Sequence, residues 1–103
     1  MNRIEKIHEL LQQMPGDSFL RHALALEYIK LNNDKEARTL FESILNDAPD
    51  YVGSYYHLGK LLERNGEITL AIEWYEKGMQ QAKSANDNHA YNELQAAYED
   101  LVY

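Results

Sequence analysis

Five pairs of like residues recur at one spacing. Pro15 and Pro49, Leu24 and Leu58, Tyr28 and Leu62, Ala37 and Ala71, and Phe41 and Tyr75 each stand 34 residues apart. A period of about 34 marks a stacked-repeat architecture, in which each unit is too small to bury its own apolar face and does so against its neighbours. The unit holds two stretches of helical periodicity and almost no strand signal. Asn32 and Gly66 align within it. Both residue types tolerate the left-handed backbone that ends a helix, so they mark the turn between two helices. Asn33-Asp34-Lys35-Glu36 reads as a capping box for the next helix, and Asp17 and Asp50 as caps of each unit's first helix.

Six helices are predicted, over 3–14, 18–31, 34–47, 51–65, 67–83 and 88–102. The beat breaks once: Leu58 to Leu94 and Leu62 to Tyr98 are both 36 residues. The two extra residues are assigned to a lengthened loop at Ser84-Ala85-Asn86-Asp87-Asn88.

Composition narrows the function classes. A chain of 103 residues fits one small domain. Its formal charge of −7 disfavours nucleic acid and anionic membranes as partners. No apolar run approaches the roughly 20 residues of a membrane span, and the charged start Arg3-Ile4-Glu5-Lys6 does not read as a secretion signal. A cytoplasmic location is the expectation. The absence of cysteine excludes disulfides, thiolate zinc sites and cysteine nucleophiles.

The second unit reads Tyr55-x-x-Leu58-Gly59-x-x-Leu62, then Ala71-x-x-x-Tyr75, with Gly78 at a small-residue position. This resembles the tetratricopeptide repeat. The first unit has Leu24-Ala25-x-x-Tyr28, Ala37-x-x-x-Phe41 and Pro49, but Arg21 replaces the leading aromatic and Ile44 the small residue. The resemblance implies an all-α fold, a right-handed α-α superhelix, as a single domain over 1–103. Its parts are a half-repeat helix at 1–15, repeats at 18–51 and 52–85, and a capping helix at 88–103. Gly59, Ala71 and Gly78 are expected to let helices approach closely, and Trp74 to pack between helices.

At 100° per residue, Leu20, Leu24, Ala25, Tyr28 and Leu31 share an arc expected in the core. A second apolar arc carries Phe19, His22, Leu26 and Ile29, bordered by Lys30. A helix with two apolar faces is either sandwiched or offers one face to a partner. The resemblance implies that this arc lines a concave groove for a peptide. The matching arc of the second unit holds Gly53, Tyr56, Lys60 and Glu63 with Arg64 at its edge. That of the last helix holds His89, Asn92, Ala96 and Glu99. The groove residues expected are therefore Phe19, His22, Leu26, Ile29, Lys30, Tyr56, Lys60, Glu63, Arg64 and Asn92. Lys30, Lys60 and Arg64 together suggest a basic stripe in an acidic molecule. The two-lysine, two-asparagine pattern of chaperone-tail binders is absent.

Catalysis finds no support. His8, His22, His57 and His89 include no pair three or four residues apart, so the paired-histidine metal motif is missing. There is no phosphate-cradling glycine loop and no nucleophile elbow. The expectation is a peptide-binding adaptor without metal or cofactor. The alternative is a homodimeric scaffold that self-associates through its apolar face.

Overall fold

The structure, a computed structural model, describes residues 2–103. Among these residues there are six helices and no strand. They are α1 (Arg3–Gln13), α2 (Ser18–Lys30), α3 (Asp34–Asp47), α4 (Gly53–Arg64), α5 (Ile68–Ser84) and α6 (Asn88–Val102). The chain divides into two compact units, one ending at Ala48 and one beginning at Pro49.

Capping chemistry explains most helix ends. Asn2 and Asp17 accept hydrogen bonds from Glu5 N and Leu20 N at 2.8 Å, and Asp87 accepts one from Ala90 N at 3.0 Å. Each satisfies an amide that a helix start leaves unpaired. Three C-termini share one motif. Asn32, Gly66 and Asn86 have φ of 60°, 81° and 57°. The amide after each reaches back to Tyr28 O, Leu62 O or Ala82 O at 2.9 Å. This paired closure satisfies the terminal carbonyls and turns the chain directly into the next helix.

Three expectations are corrected. Asp50 does not cap α4, which starts later, behind Val52, with no side-chain cap. The capping box at Asn33 is not formed, because Asn33 makes no side-chain cap hydrogen bond. The extra residues before α6 lengthen α5 rather than a loop: α5 has 17 residues against 14 in α3, and only three residues separate it from α6. Proline supplies the reason. Pro49 disfavours helix at Ala48 and stops α3. One period later stands Lys83, which lets α5 run on to Ser84.

In the first unit α1 and α3 each pack on α2. Ile7, Leu20 and Leu24 form a buried cluster, flanked by Ile4, Leu11, Ala23, Tyr28 and Leu40. Ala25 is also buried, but Leu31 is 57% exposed, outside the expected core. It lies just past the last turn of α2, where the helical arc no longer sets its direction. Arg21, in place of the aromatic, is buried. Its Nη1 donates to Ser43 Oγ at 2.8 Å and Asp47 Oδ2 at 2.9 Å, and its Nη2 to Gly16 O at 3.1 Å.

In the second unit α5 packs on both α4 and α6. The glycines act as expected. A Cβ on Gly59 would lie 2.1 Å from the Tyr75 ring, and one on Gly78 would lie 2.6 Å from Tyr55 Cβ and 2.9 Å from Leu94 Cδ1. Tyr55 occupies the position one period after Arg21 and donates its hydroxyl to Pro49 O. Burial, and then the charge of Asp50, push its phenol pKa up. Trp74 is half-buried beside Tyr55, with ring centroids 6.0 Å apart, and Lys77 Nζ lies 4.5 Å over its ring.

Candidate protein-interaction site

On α2, Phe19, His22, Leu26 and Lys30 line one hollow of about 430 Å³, together with Arg3, Ala23 and Glu27. Four of the five expected residues of this helix are thus brought together. The fifth, Ile29, is half-buried and is not part of the lining. Phe19 stands 68% exposed at the hollow. His22 packs edge-on against Phe41, with centroids 5.5 Å apart, so the imidazole is anchored on its inner side.

The rim is ionic. Arg3 Nε lies 3.2 Å and Lys30 Nζ 3.0 Å from the same oxygen, Glu27 Oε2. The Lys30 hydrogen bond is the first cause holding the Glu27 pKa below its ordinary value, and the charges of Lys30 and Arg3 add to it against an opposing burial effect. Glu27 is therefore ionised at neutral pH. Arg3, Ala23 and Glu27 were not anticipated as lining residues. The Glu27–Lys30 spacing of three was legible as a helical ion pair, but nothing local links Arg3 to Glu27 across 24 positions.

On α4, Tyr56 and Lys60 stand together, with Lys60 Nζ 5.7 Å over the Tyr56 ring and 3.6 Å from Glu63 Oε2. Glu63 also accepts the hydroxyl of fully buried Tyr75. Burial first, and then this carboxylate, drive the Tyr75 pKa far above the ordinary phenol value. Glu63 thus braces α4 on α5 as well as bordering the face. Arg64 and Asn92 are exposed on α4 and α6. The anticipated basic stripe is tempered locally, because Lys30 and Lys60 each sit beside a carboxylate.

His57, next to Tyr56, is half-buried. Burial lowers its pKa from 6.5, and Glu93 opposes this. The folded state therefore binds fewer protons than the unfolded chain just below pH 6.5. Stability from this group is fully present above that pH and is lost as pH falls below it, until the lowered folded value is reached. Urea unfolding of the full chain should show a lower midpoint near pH 5.5 than near pH 7.5. His57→Gln should reduce that difference; an unchanged difference would remove His57 as its source.

No helix among the described residues is long and apolar enough to cross a membrane. No group of three carboxylate or imidazole side chains suited to a metal gathers among them.

Comparison with known proteins agrees with this architecture. The family model described as tetratricopeptide repeat matches residues 52–84. The crystal structure of a tetratricopeptide repeat domain protein from Salinibacter ruber is 42% identical, with TM-score 0.80, covering 82% of this chain and 94% of that one. The solution structure of a Bordetella parapertussis protein is 26% identical, with TM-score 0.83, covering 98% and 88%. The mouse aspartyl/asparaginyl beta-hydroxylase is 24% identical over 80% of this chain, which spans only 11% of that enzyme's length. The human hydroxylase is 22% identical, with the same coverage. The period, the glycine contacts and the Salinibacter likeness lead to one assignment: the chain belongs to the tetratricopeptide repeat family.

Proposed function

We propose that this chain is a peptide-binding adaptor that offers partner contacts on α2 in the first unit and on α4 in the second. Tetratricopeptide folds generally mediate protein–protein interactions and are typically non-catalytic, which supports the broad class. The observation that carries the reading is the hollow beside α2, where Phe19 stays largely in water and Leu26 forms part of an apolar wall. A large exposed aromatic at a shaped hollow marks an interaction site better than scattered surface apolar residues do. The contact residues proposed are Phe19, His22, Leu26, Ile29 and Lys30 on α2, Tyr56, Lys60, Glu63 and Arg64 on α4, and Asn92 on α6. The partner is a protein segment met in the cytoplasm, and no cofactor is needed.

Leu26→Asp places a charge on the apolar wall. It should abolish partner capture from native lysate, read by mass spectrometry, while helicity stays at the parent level. Undiminished capture by a folded Leu26→Asp chain would overturn the assignment of this face.

One observation favours self-association as a second reading. Leu10 on α1 and Met14, the residue that caps its C-terminal end, are 38% and 48% exposed. Light scattering would show a dimer that Leu10→Glu converts to monomer. A monomer at high micromolar concentration would remove this reading.

A further inference from the structure

The three ionic residues of the α2 rim border two hollows. The first is lined besides them by Phe19, His22, Ala23 and Leu26. The second, of about 270 Å³, is lined by Asn2, Ile4 and Leu31. Arg3, Glu27 and Lys30 line both, so they form a charged ridge with an apolar hollow on either side. Phe19 and Leu31, among the most exposed large apolar side chains of the molecule, belong one to each hollow.

The ridge has an excess of positive charge. Two cations converge on one oxygen of one carboxylate. The Arg3 and Lys30 side chains are 65% and 70% exposed, while that of Glu27 is 15% exposed. A guanidinium has five N–H donors and an ammonium three, and the rim carboxylate engages one of each. The cations therefore have donors to spare on their solvent side, and the ridge carries one net positive charge within a chain of −7.

We propose that this double hollow binds an acidic peptide segment in which a side-chain carboxylate is flanked on both sides by apolar side chains. The carboxylate bridges Arg3 and Lys30 over the ridge, and the apolar side chains cover Phe19 in one hollow and Leu31 in the other. Charge complementarity selects this occupant: a lysine in the same place would face two cations. The inference rests on the adaptor reading and names the chemistry of the partner at the first unit.

The test uses the full chain and a capped, dye-labelled synthetic peptide with leucine, glutamate and phenylalanine at alternate positions between serines. Capping removes any terminal carboxylate. Two companions carry glutamine or lysine in place of the glutamate. Fluorescence anisotropy should show the glutamate peptide binding at least about tenfold more tightly than the glutamine peptide, as a charge-assisted contact predicts. The lysine peptide should bind most weakly. Added salt should reduce the glutamate advantage. Arg3→Gln and Lys30→Gln should each erase most of it, weakening the glutamate peptide far more than the glutamine peptide, and Leu31→Ser should weaken both peptides. Equal affinities, preference for lysine, or no binding of the glutamate peptide at millimolar concentration would overturn the proposal. Partner capture that is lost in Leu26→Asp yet kept in Arg3→Gln and Lys30→Gln would overturn it while leaving the adaptor reading intact.

Discussion

Gly59→Ala should destabilise the second unit by about 3 kcal/mol, the upper end of what over-packing a core costs. The added Cβ would meet three atoms of the Tyr75 ring at 2.1, 2.5 and 2.7 Å. The ring has no free space to move into, since Tyr75 is completely buried and its hydroxyl is held by Glu63. Relief requires α4 and α5 to separate, and that loosens Leu58 and Leu62, both fully buried. A domain of this size has about 5–15 kcal/mol in hand, so the loss is large. Gly53→Ala is the internal control. Nothing lies within 4 Å of a Cβ there, at the first residue of α4, so this change should be neutral or stabilising by up to about 1 kcal/mol. Urea midpoints read by circular dichroism compare the two variants, and equal midpoints would contradict the close approach of α4 and α5.

The second large effect concerns Arg21, and its size depends on which partner is removed. The Arg21 side chain is 9% exposed and that of Asp47 57%. Asp47→Ala leaves a buried guanidinium with only the Ser43 hydroxyl and the Gly16 carbonyl, and should cost about 3 kcal/mol. Arg21→Met removes the buried charge itself and keeps most of its volume. Asp47 then returns to water, and the net change should stay within about 1 kcal/mol. The first unit therefore tolerates losing the whole ion pair better than losing half of it. A larger loss in Arg21→Met than in Asp47→Ala, measured as unfolding free energy, would contradict this.

The residues that make the fold legible are those whose chemistry is local or periodic. Asn32 and Gly66 stand out because few residue types accept positive φ, and both end a helix in the way their types suggest. Gly59 and Gly78 stand out because a helix interior disfavours glycine unless something packs against it. Asp50 misled because its residue type suits a cap, whereas the α4 start is set by backbone bonds from Ser54 N to Tyr51 O and from Tyr55 N to Val52 O. The predicted span 67–83 already has the 17 residues of α5; its end at Ser84, and so the short connection to α6, follows from an absent proline, and absence is harder to see than presence. At the candidate site, the α2 arc pointed to four lining residues because they lie on one helix face. Arg3 was missed because its role depends on how α1 meets α2, which no pattern within either helix encodes. In the sequence Arg21 is visible only as a departure from the repeat pattern. That it is buried and clasps Ser43, Asp47 and Gly16 depends on three separate segments meeting.

The central claim is that the partner lies on the first helices, α2 and α4. A photo-reactive phenylalanine analogue placed at Phe19, at Tyr56 or at Glu73 on α5 tests this directly in native lysate. Glu73 serves as the comparison because it is exposed on a different helix. The predicted result is the same cross-linked protein from positions 19 and 56 and none from position 73. Cross-links to that protein from position 73 alone, or from all three positions equally, would contradict the account.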